Sequence, residues 1–116
     1  MTPDLEFALE LAQAAEKVAM ARYRALDLHI ETKPDMTPVT EADKAAETVL
    51  RRMITQQRPD DGIIGEEFEE LNPQASRKWI LDPIDGTRNY LRGVPVWATL
   101  IALMEAGQVV VGVVSG

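Results

Sequence analysis

The sequence contains no cysteine. Disulfides and thiolate metal sites are therefore excluded, and the composition fits a reducing compartment. Histidine occurs once, as His29, which excludes a zinc site built on imidazoles; His29 itself reads as a loop or strand residue with no catalytic role. Basic residues are scarce. Twelve Lys and Arg against nineteen Asp and Glu leave a net charge of −7. Such a chain lacks the basic face that holds a nucleic-acid backbone, and an anionic membrane surface is disfavoured for the same reason. No long apolar run exists either. The longest, Val94–Met104, is eleven residues, against the about 20 that a spanning helix needs. The opening Met1-Thr2-Pro3-Asp4-Leu5-Glu6 is acidic, which matches neither a secretory signal nor an Arg-rich transit peptide. The expected location is the cytoplasm. No internal repeat or low-complexity tract is present.

What is there is enough for one modest core: 116 residues, 46% of them hydrophobic. The charge is uneven. Residues 1–58 carry ten acids and eight bases, whereas 59–116 carry nine acids and four bases. Between Asp60 and Asp85 eight acids face two bases. An acidic cluster of this kind is either solvated or holds cations.

Residues 4–27 read as a helix with an apolar stripe through Phe7, Leu11, Ala14, Val18 and Ala21. Residues 28–39, punctuated by Pro34 and Pro38, read as an extended or loop stretch. A second helix is expected from near Thr40, with Thr40 to Asp43 close to a capping box, to just before Pro59. Its apolar face would be Ala42, Ala46, Val49 and Met53. Strands follow: a short one between Gly62 and Gly65, Lys78–Leu81, and a pair, Ala98–Met104 and Val109–Val114, joined across the Gly-containing hairpin loop Glu105-Ala106-Gly107-Gln108. The last two are apolar at nearly every position, which predicts cover on both faces. Helices followed by strands give an α+β layered class. The chain stops on an apolar strand, and the expectation is that residues 1–116 form the N-terminal part of a longer domain.

The richest segment is Trp79-Ile80-Leu81-Asp82-Pro83-Ile84-Asp85-Gly86-Thr87-Arg88-Asn89. An apolar strand delivers Asp82 to its end, and Pro83 stiffens the exit. Asp85 follows three residues on, so both carboxylates can meet one cation. Gly86 leaves bare amides, and a short helix after it would aim N–H groups at an anion. Carboxylates for metal beside amides for phosphate suit phosphoryl chemistry. Asp85-Gly86 also reads as a hairpin turn. A calcium loop fails on spacing. Gly65-Glu66-Glu67 delivers further carboxylates at a strand end, or is a solvated acidic loop. Asp43 opens a helix, favourable with its dipole. Two such like charges 4 Å apart repel by roughly 4 kcal/mol at an effective dielectric of 20. A hard divalent ion with oxygen ligands removes that cost, and Mg²⁺ fits best.

Three segments in this order resemble the inositol monophosphatase superfamily of metal-dependent, lithium-sensitive sugar-phosphate phosphatases. They are Lys33-Pro34-Asp35-Met36-Thr37-Pro38-Val39-Thr40-Glu41-Ala42-Asp43, then Gly65-Glu66-Glu67, then Trp79 through Asn89 with its Asp-Pro-Ile-Asp-Gly-Thr core. The resemblance implies a layered αβαβα sandwich, of which this chain holds the N-terminal helix pair and an antiparallel sheet portion. It implies two or three Mg²⁺ ions in the complete protein. Glu66, Asp82 and the carbonyl of Ile84 would hold the first, and Asp82 with Asp85 the second. Asp43 and Thr87 would orient and deprotonate the attacking water. The amides of Gly86 and Thr87, beside Asp85, would bind phosphate. Glu67 would assist the catalytic set, and Lys33 would lie near the site.

The Lys33-to-Thr40 opening and the run Asn89 through Leu103 resemble the histidinol-phosphate phosphatase branch, although Trp97 and its neighbours also read as plain core strand. That branch implies hydrolysis of L-histidinol phosphate in histidine biosynthesis. The alternatives are an inositol or other sugar phosphate as substrate, or a non-catalytic metal- or partner-binding fragment. The family is commonly dimeric, so a homodimer is an expected arrangement. Family members are more than twice this length, and a later Trp-Asp-x-Ala-type segment supplies a further aspartate. The 116-residue chain by itself is therefore expected to bind Mg²⁺ weakly and to turn over little.

Overall fold

A computed structural model describes residues 2–22, 30–32, 38–85 and 98–115. Helix α1 (Pro3–Arg22) starts where the sequence provides a cap. The Leu5 amide donates to Thr2 Oγ1 at 3.2 Å, Pro3 takes the first helical position, and Asp4 and Glu6 sit in the first turn. Its buried face is Phe7, Ala8, Leu11, Ala12, Ala15 and Ala19. The expected stripe through Ala14, Val18 and Ala21 is corrected: Ala14 and Val18 are half-buried and Ala21 is exposed. The reason is size. A row of alanines lets α1 lie close to α2 (Glu41–Gln57), whose own Ala42 and Ala46 are fully enclosed. On α2 the inward positions are Ala42, Asp43, Ala46, Glu47, Leu50 and Ile54, while Val49 and Met53 are half-buried. The helix ends before Pro59, as expected. The side chain of Thr40 and residues 23–29 lie outside those described.

The stretch read as loop contains a small antiparallel pair, β1 (Ile30–Thr32) with β2 (Pro38–Thr40). The main sheet runs β3 (Gly62–Gly65), β4 (Arg77–Asp85), β5 (Ala98–Glu105), β6 (Gln108–Ser115), in that spatial order. The α+β class stands, but the sheet is mixed rather than antiparallel throughout. β3 pairs with β4 in parallel, Gly62 opposite Lys78 and Gly65 opposite Leu81. Residues 66–76 return the chain along the edge, anchored by reciprocal backbone bonds between Ile63 and Leu71, both 2.9 Å. β4 also outlasts its expected end at Asp82-Pro83. Proline cannot donate to a ladder, so the register slips between Asp82 and Asp85 and pairing resumes at Asp85 opposite Ala98. The expected hairpin forms, but its loop is shorter than the four residues expected: Glu105 pairs with Gln108, leaving a two-residue turn with Ala106 at φ 51° and Gly107 at φ 81°. Positive φ at both turn positions matches the right-handed twist of the hairpin.

One face of the sheet packs under the helices. Trp79, fully enclosed, meets Phe7 edge to face with centroids 5.3 Å apart. Leu81, Ile63, Ile101 and Leu103 complete that core with Leu11, Leu50 and Ile54. The expected cover on both faces of the last strands does not hold for β6. Val111 and Val113 pack on the core, whereas Val109, Val110 and Val114 are exposed. Val110, Gly112 and Val114 alternate with the inward Val111 and Val113, and Val109 lies beyond the register shift that leaves Val110 unpaired between Leu103 and Met104.

Polar groups at the start of β4 are tied to the core rather than to chemistry. The Trp79 indole N–H donates to Asp61 Oδ2 at 3.0 Å in a buried position. Arg77 bonds Asp4 at 2.7 Å, which holds its guanidinium above the ordinary range, with Asp61 and Glu105 adding to the effect. Replacing Asp61 with Ala strands the indole N–H away from water. Unfolding in denaturant should therefore show a loss of about 1–3 kcal/mol. An unchanged midpoint would mean that the indole finds another acceptor.

Candidate active site

The parallel pair decides the geometry of the site. β3 and β4 point their C-terminal ends the same way, with Gly65 opposite Leu81. The next residue on each strand is an acid, Glu66 after β3 and Asp82 within β4. The register thus brings the backbone of two acids far apart in sequence to neighbouring positions. Glu66 is exposed and Asp82 half-buried.

α2 brings a third acid to the same end. Only residues 58–61 separate α2 from β3, so the helix runs back against the strand. Glu47 lies level with the strand end: the Glu67 amide donates to its Oε1 at 3.1 Å. One turn earlier on the helix is Asp43, only 4% exposed.

Beyond Asp82 the strand is held from β5. Thr99, fully enclosed, donates from Oγ1 to the carbonyl of Pro83 at 2.8 Å. That bond bridges the slipped register and fixes the backbone between Asp82 and Ile84. Ile84 is buried at 2% exposure, so its side chain anchors the stretch of backbone that carries the candidate carbonyl ligand. Asp85 ends β4, its backbone opposite Ala98. The hairpin reading of Asp85-Gly86 falls on Gly86, outside the described residues; the antiparallel partner of β4 begins at Ala98. The side chain of Asp85, and Lys33, Gly86, Thr87 and Asn89 to Trp97, lie outside the described residues.

Sequence reasoning missed Glu47 and Arg51. Glu47 is completely buried, and its Oε2 accepts from Arg51 Nε at 2.9 Å. The signal was present: Asp43, Glu47 and Arg51 step by four along a face otherwise made of Ala42, Ala46 and Leu50. A carboxylate on an apolar helix face demands a partner.

The donor set suits a hard cation. Glu66, Asp82 and a backbone carbonyl offer oxygen only, with no sulfur or imidazole. Among the described residues no three acids or histidines converge on one metal position. Mg²⁺ does not need three, since it takes one or two carboxylates and keeps its waters. No helix among the described residues is long and apolar enough to cross a membrane.

Comparison with known proteins agrees with this fold. The profile of the inositol monophosphatase family matches residues 1–115. A histidinol-phosphatase of Streptomyces coelicolor is 59% identical over 116 residues, covering 97% of this chain and 43% of that protein. One from Mycobacterium tuberculosis is 55% identical over 112 residues, with coverages of 97% and 43%. The chain thus spans less than half the length of these relatives. Among solved structures, the extragenic suppressor protein SuhB of Bartonella henselae superposes with a TM-score of 0.92 at 30% identity, over 97% of this chain and 45% of that one.

Proposed function

The chain belongs to the inositol monophosphatase family, and from that premise we propose that the protein carrying it is a Mg²⁺-dependent phosphomonoesterase acting on L-histidinol phosphate. Residues 1–116 would form the N-terminal α+β part of its phosphatase domain. The observation that supports the chemistry most is the parallel register that sets Glu66 beside Asp82. The similarity to two histidinol-phosphatases supports the substrate.

Glu66, Asp82 and the Ile84 carbonyl would hold one Mg²⁺, and Asp82 with Asp85 a second. When bound, such ions neutralise phosphate charge and make a water acidic enough to attack at neutral pH. The chain's own groups do the rest. Asp43, buried in the first turn of α2, would with Thr87 orient the water and take its proton on a carboxylate oxygen. The amides of Gly86 and Thr87 would hold the phosphate oxygens, and positioning of this kind supplies most of the rate in phosphoryl transfer. Glu67 would support the set from its place beside Glu66.

Phosphate release by the complete protein, as its gene encodes it, tests the reading. L-histidinol phosphate should be preferred over inositol 1-phosphate by roughly 10–200-fold in kcat/KM, the range that 1–3 kcal/mol of pocket contacts provides. EDTA should abolish release and Mg²⁺ restore it. Preference for inositol 1-phosphate would move the protein to another branch of the same chemistry. Mg²⁺ uptake without release from either substrate would leave a metal-binding module.

A further inference from the structure

Among the described residues, Glu47 is a buried carboxylate that the proposed site does not use. Glu47 is fully enclosed on a helix face of alanine, leucine and isoleucine. An ionised carboxylate in such a place is costly unless both oxygens are paired, and packing alone would be met better by an apolar residue. Both oxygens are engaged. Oε2 accepts from Arg51 Nε at 2.9 Å, and Oε1 accepts from the Glu67 amide at 3.1 Å. Arg51 then reaches one residue further: Nη2 donates to the Phe68 carbonyl at 3.2 Å, and the guanidinium lies 5.6 Å from the centre of the Phe68 ring. The strand ladder fixes the backbone up to Gly65. The segment that carries Glu66 is therefore held at its start by β3, in its middle by Glu47 and at its end by Arg51.

We infer that Glu47, braced by Arg51, is a positioning residue that fixes the backbone of residues 66–68 so that the Glu66 carboxylate stays beside Asp82, ready for a divalent cation. The inference rests on the Mg²⁺-phosphatase reading and deepens it. The inference gives Glu47 a positioning role: its carboxylate is enclosed and bonded to Arg51 and to the Glu67 amide. Partners that orient metal ligands in this way typically change metal affinity by about 10–100-fold when removed.

Mg²⁺ affinity without substrate, measured by calorimetric titration of the complete protein beside its thermal midpoint, provides the test. Glu47→Met keeps the volume and removes the acceptor, and should weaken Mg²⁺ binding by about 10–100-fold. Arg51→Met should weaken it less. Glu47→Gln should recover part of the loss, since its amide oxygen still accepts from the Glu67 N–H. Asp61→Ala, remote from the loop, should lower the midpoint and leave Mg²⁺ affinity unchanged, which separates positioning from general destabilisation. If Glu47→Met does not fold, Arg51→Met decides alone. Wild-type affinity in the folded Glu47 and Arg51 variants overturns the inference and leaves the phosphatase reading standing. Failure of the unsubstituted protein to bind Mg²⁺ overturns that reading, and the inference with it.

Discussion

Asp82→Asn should reduce phosphate release by the complete protein at least about 10³-fold, equivalent to roughly 4 kcal/mol of transition-state stabilisation. In the proposed site Asp82 alone would serve both ions, so its negative charge has no substitute. Asparagine keeps the size and one oxygen but removes that charge. The fold should tolerate the change. Asp82 is half-buried, and its backbone is fixed from β5, where it lies opposite Leu100. Taking one of several neighbouring acids away also relieves repulsion in the metal-free protein. The expected result is thus a split: a thermal midpoint equal to or above that of the parent, with activity lost and Mg²⁺ affinity reduced. Near-parental activity would remove Asp82 from the chemistry altogether.

Gly65→Ala should be damaging although the residue is neither an acid nor part of the core. A Cβ there would sit 2.5 Å from both carboxylate oxygens of Glu47, well inside van der Waals contact. Either Glu47 swings away, which breaks its bonds to Glu67 and Arg51, or β3 shifts from its place beside Leu81. Overpacking of this kind costs about 1–3 kcal/mol of stability. If Glu47 positions Glu66, Mg²⁺ affinity should also fall by about 10–100-fold. Pairing the substitution with Glu47→Ala identifies the clash. Removal of the carboxylate makes room for the new methyl, so the two stability losses should fall short of additive by about 0.5–3 kcal/mol in denaturant titrations. Strict additivity would mean that the added methyl is accommodated without touching Glu47.

Much of this was legible from residues alone. The absence of Cys, the single His and the surplus of acids pointed to oxygen ligands and a hard cation. Periodicity placed both helices, because amphipathic spacing is a local property, and Ala106-Gly107 marked its own turn. The fine choice of buried face on α1 was not legible. Alanine is acceptable on any face of a helix, and only the packing of α1 against α2 and the sheet selected Ala8, Ala12, Ala15 and Ala19 over Ala14 and Ala21. The exposure of Val109, Val110 and Val114 was equally hidden, since an apolar strand carries no mark of which of its residues face outward.

By itself the sequence determined which side chains are available for chemistry and the order in which the chain meets them: Asp43, Glu66, Glu67, Asp82, Asp85. Tertiary structure alone decided that Glu66 and Asp82 are neighbours. Strand pairing depends on contacts between segments distant in sequence, and nothing in Gly62–Gly65 specifies a parallel partner. Had β3 met β4 antiparallel, the two acids would lie at opposite ends of the strands, with no shared place for a cation. The task of Glu47 was settled at the same level. Its carboxylate has meaning only because Gly65, eighteen positions further along, leaves the space that it fills and Glu67 presents the amide that it holds.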